Sequence, residues 1–371
     1  MTCARTPAFF NPAARHWRAE PLRDSPLGFH RSLPGYAQTP LTPAPALAAA
    51  LGVGAVLVKD ESARLGLSAF KILGASYAIA RALSDRFGLD EALPLDELRE
   101  RLGRGEELSL VAATDGNHGR AVAHVAALLG LRSTIYVPPG VSPQAKAAIA
   151  GEGAQLVELQ QSYDDVVAHA AAHSGGNAVL IQDTSWDDYV DVPQWIVDGY
   201  ITLVQETDEQ LTQQGLHRLD LVVVPAGVGS LAQAVVRHYR SAGHAPALLV
   251  AEPDTAASVT TSLHAGRRVP VETGDTVMTG LNCGTVSEIA WPILRDGLDA
   301  SITVTDAQAL AAVNEMAGVG IDSGPCGAST LAALRVVATD DAQRAHLGLD
   351  GDSVVVLLST EGTAANPKGT P

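Results

Sequence analysis

Leu221-Val-Val-Val-Pro-Ala-Gly-Val-Gly-Ser-Leu-Ala232 is a β-branched run that closes on a loop of spaced glycines and then opens a helical pattern through Gln233. Strand, tight loop and helix in that order make one unit of an α/β fold. The amides at such a helix start are unpaired, and with the helix dipole behind them they hold a phosphate. Gly227, Val228, Gly229, Ser230 and Leu231 are the candidates for that cradle. The same string fits the dinucleotide fingerprint G-x-G-x-x-A, and Glu252 lies 20 residues past Ala232 at a strand end, so a nicotinamide cofactor is a rival reading. No Gly-Lys-Ser/Thr follows the loop, which removes a Walker phosphate loop.

Working outward, Val56-Leu-Val-Lys-Asp-Glu61, Ala247-Leu-Leu-Val-Ala251, Ile302-Thr-Val304 and Val354-Val-Val-Leu-Leu358 read as further strands of the same domain. A second group, Leu108–Ala113, Ser133–Val137, Gln155–Leu159 and Ala178–Gln182, is separated by alanine-rich helical stretches and reads as a four-stranded doubly wound domain. The expected organisation is therefore α/β with two doubly wound domains: a large one from residues 1–87 and 186–371, and a small one from residues 88–185. The exposed helix expected within Leu89–Glu107 marks passage between them, and the tail from Thr363 is expected to fray.

A chain of 371 residues suits two cores. Its 46% hydrophobic and 18% charged content, with 35 Gly and 21 Pro, fits packed sheets joined by tight turns. A net charge of −16 argues against nucleic acid and against an anionic membrane surface, because both need clustered cations. No apolar run reaches membrane-spanning length, and the N-terminus lacks a signal-peptide core. Three scattered thiols, Cys3, Cys283 and Cys326, form neither a disulfide framework nor metal-ligand spacing, so the expected home is the reducing cytoplasm.

Only Lys59, Lys71, Lys146 and Lys368 among the 25 basic residues are lysine. Arginine cannot deprotonate to attack a carbonyl, whereas a desolvated lysine can. Lys71, in Ser68-Ala-Phe-Lys-Ile-Leu-Gly74 at the mouth of a helix, reads as a Schiff-base lysine: Phe70 and Ile72 disfavour the charged form, and Gly74 admits a flat ring against the next turn. A snorkelling surface lysine is the plainer reading of the segment by itself. Thr114-Asp-Gly-Asn-His-Gly119 lies between a strand and its helix, where amides and the Thr114 hydroxyl suit a carboxylate. Asp115 and Asn117 read equally as helix caps, and His118 by itself as structural.

Taken in order, the Lys71 segment, the loop Thr114–Arg120 and the Gly227 string resemble fold-type-II pyridoxal-phosphate enzymes of the tryptophan synthase β-like group. Within that group they resemble the diaminopropionate ammonia-lyase family. Gln182-Asp-Thr-Ser-Trp-Asp-Asp-Tyr189, Pro193–Tyr200, Gly280-Leu-Asn-Cys-Gly284 and Asp322-Ser-Gly-Pro-Cys-Gly-Ala328 extend the resemblance over about residues 30–362. It implies pyridoxal 5'-phosphate held through Lys71 beside Phe70, with Asn117 at its phenolic oxygen, the Gly227–Leu231 amides at its phosphate, and Ser359 or Thr360 at its ring nitrogen. A hydroxyl there cannot give the nitrogen a full proton, which favours elimination over transamination. The activity implied is α,β-elimination from 2,3-diaminopropionate to pyruvate and two ammonia, in a homodimer without a metal. Lys71, Asp115 and Asp183 are implied as the acid-base groups, and Thr114, Asp115, His118 and Asp183 as the substrate contacts. Asp115 separates this reading from a serine or threonine dehydratase, whose loop has no acid there. A non-catalytic binding relative is argued against by Lys71. The family pattern after Thr360-Glu-Gly362 continues with acidic residues, whereas this chain has Thr363-Ala-Ala-Asn366.

Overall fold

The strands that read as apolar runs assemble into two separate, largely parallel sheets. They are described from a computed structural model covering residues 6–22, 24–103, 107–114, 116–241 and 246–366. Eleven strands are present among these residues: β1 (Phe9–Phe10), β2 (Leu41–Pro43), β3 (Ala55–Asp60), β4 (Ser109–Ala113), β5 (Arg132–Val137), β6 (Gln155–Glu158), β7 (Ala178–Leu180), β8 (Leu221–Pro225), β9 (Ala247–Pro253), β10 (Ala300–Val304) and β11 (Val354–Ser359). The chain divides into one unit of residues 1–23, 38–64 and 203–371 and another of residues 24–37 and 65–202.

The larger unit holds a seven-stranded sheet in the order β1-β10-β9-β8-β11-β3-β2. Strands β8, β9, β10 and β11 are buried along their whole length, which is why β8 and most of β9 and β11 read as continuous apolar runs, although β10 alternates through the buried Ser301 and Thr303. Only β1 and β2, at the two edges, run antiparallel to their neighbours. Chain order runs outward from β8 through β9 to β10 on one side, while β11 and β3 lie on the other, so the order reverses between β8 and β11. In open α/β sheets ligands bind at the carboxyl ends of strands at such a reversal.

The smaller unit holds the sheet β6-β5-β4-β7, all parallel, which reverses between β4 and β7. Each expected strand of this group is present. The expected boundaries at 87/88 and 185/186 fall within the residues of this unit, where the helix Lys71–Arg86 packs on the helix Asn117–Leu129. The exposed helix is shorter than its sequence span, Leu95–Leu102. No described helix is long and apolar enough to cross a membrane.

Candidate active site

Each unit gathers its sequence-predicted residues at its own reversal point. In the smaller unit the Thr114 loop follows β4 and Asp183 follows β7, the two strands that flank the reversal. Thr114 is buried, and its Oγ1 accepts the amides of Gly116 (3.0 Å) and Gly119 (3.1 Å), so this hydroxyl caps the helix Asn117–Leu129 rather than standing free for a carboxylate. Asn117 is the first residue of that helix. Asp115 lies outside the described residues.

Lys71 opens its helix, and its ammonium donates to Asp183 Oδ2 at 2.6 Å, with the lysine side chain 22% exposed. The apolar flanks were expected to discharge the amine; the carboxylate opposite them instead favours the charged form. Burial pushes the Asp183 carboxyl up, but Lys71 and His118 outweigh it and hold it at about 2. His118 is 3% exposed, and its Nε2 contacts the Ile181 carbonyl at 2.7 Å, while Nδ1 stands 3.9 Å from the same Asp183 Oδ2. Burial lowers the imidazole's proton affinity. The Lys71 ammonium also lies 5.6 Å from the centre of the Phe70 ring, which packs 4.7 Å from the ring of Tyr200.

Gly74 admits a ring, as its position suggests, but the ring is Tyr200's: a Cβ at Gly74 would sit 2.5 Å from Tyr200 Cε1. Facing it, a Cβ at Gly199 would sit 2.5 Å from the Leu73 carbonyl, so two glycines bring their helices into contact behind Lys71.

In the larger unit the loop after β8 and the end of β11 share the other reversal point, their strands paired through Val355–Leu221 and Leu357–Val223. Gly229 has φ +94°, and a Cβ there would meet Leu294 Cδ1 at 2.8 Å. A Cβ at Gly227 would meet Cys283 Sγ at 2.9 Å. Neither glycine position has room for a side chain, and the loop runs into a helix beginning at Ser230, whose first amides lack helical partners. Ser359 donates to Ser323 Oγ at 2.7 Å, and Gly327 leaves room beside both hydroxyls. Thr360 is buried next to it. Of the tail expected to fray, residues 363–366 are tied down: Thr363 donates its amide and hydroxyl to Asp322 Oδ1, and Asn366 donates to the Val277 carbonyl and to Glu361 Oε1, while residues 367–371 lie outside the described residues.

The nicotinamide reading fails on Glu252. Its carboxylate is fully buried and accepts from the amides of Val259 and Thr260, the Thr260 hydroxyl and Ser301, capping the helix Ser258–Ala265. Burial pushes it up to about 7, and no oxygen faces a loop where a ribose could lie.

Of the described lysines, Lys146 is a surface residue paired with Glu158. Lys59 is fully buried and donates to the Thr39 carbonyl (2.8 Å), Glu206 Oε2 (2.7 Å) and Gln210 Oε1 (2.8 Å), which uses all three of its hydrogens. Arg64, equally buried, bonds both Glu61 and Glu206 and completes a neutral cluster of two cations and two anions. Sequence reading missed this cluster, whose members look like ordinary strand-end charges.

Residues 33–361 match the profile of the pyridoxal-phosphate dependent enzymes. The chain belongs to that family. Among its relatives, the diaminopropionate ammonia-lyase of Escherichia coli K12 is 36% identical, covering 90% of this chain and 86% of the relative. That of Salmonella typhimurium LT2 is 37% identical, covering 91% and 88%. The crystal structure of the Escherichia coli enzyme in complex with an aminoacrylate-PLP azomethine reaction intermediate superposes with a TM-score of 0.86 at 32% identity, covering 98% of this chain and 96% of that one.

A pyridoxal-phosphate dependent enzyme needs an accessible amine, a phosphate cradle and a partner for the ring nitrogen. Each unit holds residues of the kinds required: in the smaller one Lys71 is a partly open amine, and in the larger one Gly227 and Gly229, which have no room for a Cβ, lead into a helix start, and Ser359 has a hydroxyl at the carboxyl end of β11.

Proposed function

We propose that this chain cleaves 2,3-diaminopropionate by α,β-elimination, consuming one water and releasing pyruvate and two ammonia. The observation that carries the reading is the Lys71–Asp183 pair at 2.6 Å, which sets an amine that can take a proton beside a carboxylate that can hold a cation. Lys71 binds the cofactor, the Gly227–Leu231 amides hold its phosphate, Asn117 meets its phenolic oxygen, and Ser359, rather than Thr360, meets its ring nitrogen. When bound, pyridoxal phosphate supplies the electron sink that makes the Cα proton acidic.

The chain's own residues do the rest. Lys71 removes the Cα proton, and Asp183 stabilises the ammonium so formed. The β-nitrogen must leave as a neutral amine, so it has to be protonated while attached, and Asp183 and Asp115 favour that cation. A hydroxy-amino acid brings no such cation for the two carboxylates to favour. Thr114 and His118 shape the substrate end of the site. The 2-aminoacrylate that is released hydrolyses in water to pyruvate and the second ammonia. The working form is a homodimer in the cytoplasm: the family likeness supports the first, and the thiols Cys283 and Cys326, which form no disulfide, support the second.

Purified holoenzyme given D- or L-2,3-diaminopropionate is expected to yield two ammonia per pyruvate, with kcat/KM at least about 10²-fold above that for serine or threonine. Equal or faster turnover of serine would replace this reading with a hydroxy-amino-acid dehydratase.

A further inference from the structure

The imidazole of His118 is the buried titratable group next to the reacting amine that the elimination leaves unused. Its Nε2 lies 2.7 Å from the Ile181 carbonyl, an acceptor only, so Nε2 carries the proton and neutral His118 presents a bare lone pair at Nδ1. Among the described residues Nδ1 is buried and has no hydrogen-bond partner. The group it faces is Asp183 Oδ2 at 3.9 Å, an anionic oxygen, so two electron-rich atoms confront each other in a dry site. Such a contact becomes favourable only when a proton lies between them.

We propose that His118 is a positioning residue that stores, through Asp183, the proton Lys71 must surrender before its amine can bond to the cofactor. The inference rests on Lys71 being the cofactor lysine. In the transfer an N–H bond of Lys71 Nζ breaks and one forms on His118 Nδ1. The same oxygen, Asp183 Oδ2, is 2.6 Å from the first nitrogen and 3.9 Å from the second. Rotation about the soft terminal torsion of Asp183 closes the longer gap. Before the transfer the trio is cation, anion and neutral imidazole; afterwards it is neutral amine, anion and imidazolium. Its net charge never changes, so the buried site pays no new desolvation of an isolated charge.

The electrostatics run in the same direction. The charges that act on His118 are Asp183, which favours its protonation, and Lys71, which opposes it together with burial. Tyr200 and Tyr189 are the other ionisable neighbours of Asp183, and burial keeps both hydroxyls protonated. Discharging Lys71 removes one of the two effects that disfavour the imidazolium, so loss of the Lys71 proton favours protonation of His118.

The test is a 15N-histidine NMR titration of the full-length protein, with the His118 signal assigned by its loss in His118→Gln. In cofactor-free protein, Lys71→Met is expected to raise the pH at which His118 Nδ1 protonates by about 1–3 units relative to wild type. The double variant Lys71→Met with Asp183→Asn should reverse that rise. An unchanged His118 titration in Lys71→Met would overturn the inference. In the holoenzyme His118→Gln, which keeps a donor for the Ile181 carbonyl but cannot store a proton, should lower kcat by about 10²-fold with KM unchanged and move the acid limb of the pH profile. An equal loss at every pH would also overturn it. If that variant does not fold, His118→Asn supplies the assignment and the Lys71→Met titration decides, because there His118 is intact. Borohydride reduction of wild-type holoenzyme should fix the cofactor on Lys71. A label on Lys59 or Lys146 would bring down the Lys71 reading, whereas an unmoved titration with the label on Lys71 brings down the His118 role alone.

Discussion

Lys59 and Lys71 stand 12 residues apart in the chain, and their surroundings are opposites. Burial lowers the proton affinity of Lys59, a property often taken as the mark of a reactive lysine. Yet its three hydrogens are all taken, its side chain is fully buried, and two carboxylates and Arg64 leave no net charge for chemistry to use. Lys71 differs in access: its side chain is partly open, and its ammonium makes a short ion pair to Asp183. On the proposed reading, the reactive lysine is marked by access rather than by a lowered proton affinity. A closed neutral cluster holds a backbone in place, and a partly open pair lets a proton move.

The comparison breaks most visibly at Arg64. Arg64→Met keeps the length of the side chain but leaves Glu61 and Glu206 facing Lys59 with one buried negative charge uncompensated. Arg64 is the main reason the Glu206 carboxyl is held at about 2 against the opposing effect of burial. The expected loss is about 3–5 kcal/mol in chemical denaturation. A loss below about 1 kcal/mol would place the cluster with ordinary surface pairs and erase the contrast with Lys71.

The next effect is at Asp183 and depends on pH. Its carboxyl is held at about 2 in the folded chain, below the ordinary value of 3.8. A depressed carboxyl contributes stability that is present above its unfolded value and is lost as pH falls through the folded one. Asp183→Asn is therefore expected to cost about 2 kcal/mol at pH 7, with the gap to wild type closing as pH falls from about 5 towards about 2. A gap that stays constant over that range would mean that Asp183 contributes through shape and not through charge. Turnover of diaminopropionate by the same variant should fall by about 10²-fold.

These contrasts were unevenly legible in the sequence. Strands β8, β9 and β11 were readable because they are buried along their length and open on runs of four or five apolar residues, whereas β1 and β2, two and three residues long, carry no periodicity to read. The loops at Thr114 and Gly227 were readable because strand, loop and helix are contiguous. Partnerships across the chain were not: Arg64 and Glu206 are 142 residues apart, and nothing local marks one as the other's counterion. Glu252 misled for a physical reason, since an acid at a strand end caps its own following helix at the same spacing that would serve a ribose. The domain boundary shifted because the Lys71 helix shows its apolar face in sequence without showing which sheet that face covers.

The smallest effect belongs to Tyr189, which holds the strand end that carries Asp183. Its hydroxyl accepts the Gln182 amide at 2.9 Å and donates to the Leu180 carbonyl at 3.0 Å, and its ring stacks 4.4 Å from that of Trp186. Asp188, at φ +68°, makes the turn that brings the ring back, in a region that Asp tolerates better than most residues. Gln182 in turn accepts the Ala113 amide through its side chain, so β7 and the Thr114 loop share one buried amide group. Tyr189→Phe keeps the stacking and removes only the hydroxyl, leaving one buried amide unpaired at a cost of about 1–2 kcal/mol. Because Asp183 follows Gln182 directly, kcat should fall by roughly tenfold with KM nearly constant, the loss expected from about 1.4 kcal/mol of misplacement. Burial keeps the hydroxyl protonated well above neutrality, so the loss should be the same at pH 6 and pH 9. A loss that grew with pH would make Tyr189 an acid in the reaction rather than a brace for Asp183. Unchanged kcat would show that Lys71 and His118 hold that carboxylate without help from the strand behind it.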